Sequence, residues 1–149
     1  MKKIIVSLAL LLVLVAGRTY AGTNGPAIPP SVSTEFTDRF AEAKDVIWEM
    51  GRNFYKATFD IHGKTLFAFY ADNGNLMGVA HNLAADKLPG DLRKELKDSY
   101  AGYWITDLFT YKNADERAFV ITLESPDKTV VLKSSGPSGW TVYRTTVKG

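Results

Sequence analysis

Few residues of this chain have types and spacings that could do chemistry. The two histidines, His62 and His81, lie 19 positions apart, with no His-Glu-x-x-His or similar ligand spacing around either. Each therefore reads as a surface histidine and not as a metal ligand. Gly136-Pro137-Ser138-Gly139 lacks the five-residue Gly-x-Ser-x-Gly form of a nucleophile elbow and reads as a hairpin loop. The glycines fall singly in turns, so no Gly-rich loop exists to cradle a phosphate. Asp115-Glu116 sits in a turn and reads as solvated, and nothing in the sequence singles out a pair of glycosidase-type carboxylates. Arg93, Lys94 and Lys97 are interleaved with Glu95 and Asp98, as on a solvated helix face. The chain holds no cysteine, which excludes disulfides, thiolate metal sites, a cysteine nucleophile and a lipidated N-terminal cysteine. The expectation is a protein without catalytic groups, metal or cofactor.

The elements that would position side chains begin after a removable segment. Lys2 and Lys3 precede a run from Ile4 to Ala16 that is apolar except for Ser7, and Thr19-Tyr20-Ala21 follows. This basic, apolar, small-residue order predicts a secretory signal peptide over 1–21. The run is too short for a membrane span. Cleavage after Ala21 leaves 128 residues with 15 basic and 16 acidic side chains. A near-neutral chain has no bulk attraction to nucleic acid or anionic lipid. The expected location is periplasmic or secreted, with no membrane insertion after cleavage.

Residues 22–33 hold Gly25, Pro26, Pro29 and Pro30 and read as a flexible linker. Ser33 or Thr34 is expected to cap a helix with Phe36, Phe40 and Ala43 on one face. Strand-like runs follow at Val46 to Met50, Asn53 to His62, Thr65 to Asp72 and Leu76 to Leu83. His62-Gly63-Lys64 and Asn73-Gly74 supply turns. Pro89 then opens a second helix, with Leu88, Leu92, Leu96 and Tyr100 on one face. Four more runs follow at Tyr103 to Lys112, Arg117 to Glu124, Lys128 to Ser134 and Trp140 to Val147. Short turns between consecutive strands require antiparallel pairing. The expected fold is α+β: two tandem repeats, about 34–85 and 86–149, in the order αββββαββββ. An internal duplication is one explanation of that order.

The residues that carry a resemblance are Phe40-Ala41-Glu42-Ala43-Lys44-Asp45-Val46-Ile47-Trp48, Tyr55-Lys56-Ala57-Thr58-Phe59, Phe69-Tyr70-Ala71-Asp72-Asn73-Gly74-Asn75-Leu76 and Leu88-Pro89. Over roughly Phe36 to Val147 the chain resembles the PepSY-like family of small exported bacterial proteins, classed as similar to the beta-lactamase inhibitory protein. The resemblance implies two helix-plus-sheet repeats with a shared concave sheet surface and a binding or inhibitory role. The inhibitory protein relies on disulfides, which this chain cannot form, and the resemblance assigns none of its enzyme-contacting loop residues to a position here.

Seventeen aromatic residues remain after cleavage. Phe36, Phe40, Phe59, Phe67, Phe69, Phe119, Ile121, Leu123 and Val142 are expected in the core, with Trp48 and Trp140. Tyr70, on the Leu66 and Ala68 side of its strand, is expected on the helix-free sheet face. So are Trp104 and Thr106, which share a side with Leu108, Thr110 and Lys112, and Tyr143, which shares one with Thr141 and Thr145. Rings punctuating hydroxyl-bearing positions suit a protein-binding surface. The leading expectation is thus a non-catalytic exported module that binds a periplasmic or extracellular protein and restrains an enzyme such as a peptidase or hydrolase. The alternative is a binder of a small ligand or envelope component in a cleft. A third reading, an enzyme acting through carboxylates, requires an acid of strongly raised pKa in a pocket.

Overall fold

The computed structural model describes residues 25–149; the expected signal peptide and the first residues of the expected linker lie outside them. The elements run α1 (Pro30–Arg39), β1 (Lys44–Met50), β2 (Tyr55–Ile61), β3 (Lys64–Tyr70), β4 (Leu76–Asn82), a 3-10 turn (Ala85–Lys87), α2 (Gly90–Ser99), β5 (Trp104–Lys112), β6 (Arg117–Glu124), β7 (Lys128–Ser134) and β8 (Thr141–Val147). Strands are hydrogen-bonded in chain order, β1 to β8. The chain divides into two compact units, the first ending at Val79 and the second running from Ala80 to Gly149, so that β4 straddles the boundary.

In the first unit, α1 opens at Pro30, ahead of Ser33 and Thr34. Proline suits a first helical turn, because its φ is preset and the N–H that it lacks would have no partner there. The Pro29 carbonyl accepts both the Val32 and Ser33 N–H groups at 3.0 Å. The Ser33 hydroxyl donates to the Pro30 carbonyl and caps nothing. Val32 and Phe36, one turn apart, are buried on Ala57, Phe59, Ala68 and Tyr70. The Phe36 ring centroid lies 5.1 Å from Trp48 and 5.0 Å from Phe59, both edge-on. Burying each such side chain stabilises the unit by about 1.5–3 kcal/mol.

Register decides which side of the sheet each residue takes. His62 and Gly63 both adopt positive φ, 51° and 77°, and form a two-residue turn that sets Ile61 opposite Lys64. Phe59 then pairs with Leu66, Ala57 with Ala68 and Tyr55 with Tyr70. Tyr70 therefore belongs to the core under α1, fully buried, and not to the helix-free face. Phe67 and Phe69 pair with Thr58 and Lys56 and take the opposite side from that core. There the Phe69 ring is 6.1 Å from Phe54, and Lys56 Nζ lies 5.1 Å over the Phe67 ring.

In the second unit, α2 buries Leu92 among Leu88, Leu108, Ile121, Leu123, Val130 and Leu132, with Phe119, Leu96 and Trp140 packed around them. The Trp140 indole N–H donates to the Leu92 carbonyl at 3.0 Å, and its backbone N–H reaches the Glu95 carboxylate. Val142, expected in the core, is 54% exposed on the outer strand β8.

Candidate functional site

The helix-free face of the second unit is laid out by pairing. Ile121 and Leu123 point at α2, so Val120, Thr122 and Glu124 take the other side of β6. Glu124 pairs with Trp104 and Thr129; Thr122 pairs with Asp107 and Val131; Val131 pairs with Arg144. The side of the sheet away from α2 therefore carries the rows Trp104-Glu124-Thr129-Thr146 and Asp107-Thr122-Val131-Arg144, in which Val131 is buried and Trp104, Asp107, Arg144 and Thr146 are exposed.

A bulge in β5 between Ile105 and Asp107 makes this arrangement. Thr106 is the extra residue, and its hydroxyl donates to the Thr122 carbonyl at 3.4 Å. Across the bulge the alternation changes phase. Trp104 faces away from α2, whereas Leu108, which shares its sequence parity, is buried beneath α2. Thr110 likewise pairs with Phe119, on the α2 side. Trp104 thus keeps the expected face without the neighbours expected beside it.

The Trp104 ring is 49% exposed, yet it is held in place. Lys148 Nζ stands 5.4 Å from the ring centroid. That ammonium also donates to Glu124 Oε2 and to the Ser125 carbonyl, each at 2.9 Å, and the Lys148 backbone N–H donates to the Asp127 carbonyl at 2.8 Å. These contacts fix a cation over one π face of the indole.

Tyr143 sits at a second bulge, in β8 opposite Val131 and Leu132. Thr141 pairs with Lys133 and Thr145 with Val130, so these two threonines take opposite sides of the strand. Partial burial raises the Tyr143 pKa above that of an ordinary tyrosine. The structure therefore brings Trp104 and Thr106 together at one bulge, sets Tyr143 three strands away on β8, and withdraws Tyr70 into the first unit's core.

Asp107 was not expected at the site. Its carboxyl is held above the ordinary aspartate range by partial desolvation, against which the Leu108 N–H acts as a donor. The phase change at Thr106 hides Asp107 from an alternation argument. Glu116 also departs from expectation: it is not solvated but held at 2.8 Å by Lys133, with both side chains largely covered.

The histidines hold no metal arrangement. His62 approaches Glu42 at 3.3 Å in the open, and His81 shares a hydrogen bond with Thr110. Among the described residues no group of three potential ligands converges. Ser138 lies in a loop whose carbonyls at Gly136 and Ser138 are reached by the Ser134 hydroxyl.

Both outer strands are irregular. β1 has a bulge between Lys44 and Ile47, with Asp45 at φ 52°, and β8 has the bulge at Tyr143. Such irregularities oppose the addition of a further strand.

No family model and no curated protein matches the sequence. Solved structures do match in fold. A DUF2874 family protein from Bacteroides ovatus is similar at a TM-score of 0.70 and 20% identity, covering 83% of this chain and 89% of that one. A BLIP-like protein from Bacteroides fragilis is similar at 0.69 and 21%, covering 84% and 92%. A candidate periplasmic protein from Bacteroides eggerthii is similar at 0.70 and 13%, covering 82% and 90%. None of these three bears the PepSY name. The likeness lies in the α+β fold, and in that respect this chain is similar to the BLIP-like protein.

Proposed function

We propose that this protein is an exported, non-catalytic module that binds a protein partner on the helix-free face of its second unit. The observation that carries the proposal is Trp104: a large ring, half exposed, pinned from one side by Lys148 and paired across the strand with Glu124. A preset aromatic ring buries much area on binding with little ordering cost, and such rings act as anchors at interfaces. Export rests on the basic, apolar and small-residue order of the N-terminus. Among the described residues, no helix is long and apolar enough to cross a membrane. The order of one helix and four strands in each half fits a duplicated scaffold, and likeness to a BLIP-like fold favours restraint of an enzyme as the form of binding.

Affinity capture tests this reading. The exported form, Gly22 to Gly149, is immobilised beside its Trp104→Ala variant and challenged with envelope extract from its own cells. A protein held by wild type and lost by the variant is the expected result, and that protein is then assayed for inhibition. Equal retention on both would sink the proposal.

A further inference from the structure

On the reading just given, we infer that Trp104 and Asp107 together receive a basic side chain, arginine above all, presented by the protein partner. The β5 bulge places both on the helix-free face, against Glu124 and Thr122. Those β6 residues are two positions apart, so their rows lie about 7 Å from one another. A long cationic side chain spans that gap with ease.

Charge complementarity selects the cation. Glu124 already has its counter-ion in Lys148. Asp107 has none: among the described residues no basic side chain pairs with it, and the Leu108 N–H is its donor. Arg144 ends the same cross-strand row, but three strand spacings, about 14 Å, separate them. That exceeds the screening length at physiological salt, about 8 Å. The local surplus is one negative charge. Beside it stands an indole with one π face taken by Lys148 and the ring half exposed. The negative face of an aromatic ring attracts a cation, and an adjacent carboxylate adds directed acceptors. A guanidinium satisfies both at once, because it stacks flat on indole while its N–H fork meets the carboxylate; a lysine ammonium supplies only a point charge. An acidic partner side chain would meet Asp107 as a like charge.

The first experiment uses defined probes. The ¹⁵N-labelled Gly22 to Gly149 protein is titrated with a capped Gly-Arg-Gly peptide and with its Gly-Gln-Gly counterpart. The expected result is a shift of the Trp104 indole N–H signal with the arginine peptide alone. The Trp48 and Trp140 indole signals stay still, and Asp107→Asn abolishes the shift while leaving the rest of the spectrum in place. No shift at Trp104, an equal shift with the glutamine peptide, or an unchanged response in Asp107→Asn overturns the inference. The captured partner separates the two levels of the argument. Its affinity is expected to fall about tenfold in Asp107→Asn. Loss in Trp104→Ala with full retention in Asp107→Asn means that the face binds but does not read a basic side chain. Full retention in both means that the face itself is wrong.

Discussion

Gly74 packs its α-carbon against the backbone of Ser31: a Cβ added at Gly74 would stand 2.7 Å from the Ser31 carbonyl oxygen. The contact ties the β3–β4 turn to the first turn of α1, and the Ser31 hydroxyl reinforces it by donating to the Asp72 carbonyl at 3.2 Å. Gly74 also sits at φ 89°, where a side chain is strained whatever the space. Gly74→Ala is expected to destabilise the protein by at least about 2 kcal/mol, read as a lower urea midpoint. Gly63→Ala provides the contrast. Its φ is 77° but nothing lies within 4 Å of the added Cβ, so only backbone strain remains, about 1 kcal/mol. Equal losses at the two positions would show that the Ser31 contact contributes nothing.

The difference between those two turns also explains what the sequence concealed. Asn73-Gly74 carries the stronger hairpin signature, yet only its glycine takes positive φ, whereas His62 and Gly63 both do. Reading His62-Gly63-Lys64 as a three-residue turn slips β3 by one position, and a slip of one exchanges the two faces of a strand. That slip puts Tyr70 on the wrong side: it joins Ala57, Phe59 and Ala68 under α1, whereas Phe69, buried as expected, and the half-buried Phe67 lie on the other side of the strand. β3 is aromatic on both sides, so its own alternation could not correct the error. β2 could, because Ala57 and Phe59 alternate cleanly with Lys56, Thr58 and Asp60. The α2 face was legible because Leu88 and Leu92 recur at helical spacing, and both are buried. Bulges leave no such trace, so the neighbours of Trp104 and Tyr143 were assigned by a parity that the backbone breaks.

Tyr70 gives a prediction about alkaline stability. Its hydroxyl and Glu35 Oε2 are both buried without a hydrogen bond of good geometry. Burial first, and then the Glu35 carboxylate, raise the Tyr70 pKa well above its ordinary value of 10.0. The folded chain therefore keeps this proton at pH values where the unfolded chain has released it. That contribution is present in full below about pH 10 and is lost as pH rises further. Tyr70→Phe removes the proton from the balance. Between pH 9 and 11 the variant's urea midpoint is expected to fall less steeply than that of wild type. Parallel slopes would mean that Tyr70 ionises alike in both states.

The phase change at Thr106 separates binding from folding on a single strand. Trp104 and Leu108 are four positions apart with the same parity, but Trp104 is 49% exposed and Leu108 only 6%. Leu108 packs with Leu92, Ile121 and Leu123 under α2, so Leu108→Ala leaves a cavity and is expected to cost about 2–5 kcal/mol. Trp104→Ala removes a ring that keeps much of its contact with water. Its loss is limited to the Lys148 contact and part of the ring's burial, about 1 kcal/mol or less. Urea melts of both variants check the pair. If Trp104→Ala costs as much as Leu108→Ala, the ring supports the fold, and its exposure stops being evidence for a partner. If the two differ as expected, loss of a captured protein in Trp104→Ala reports on contact with the ring and not on an unfolded chain.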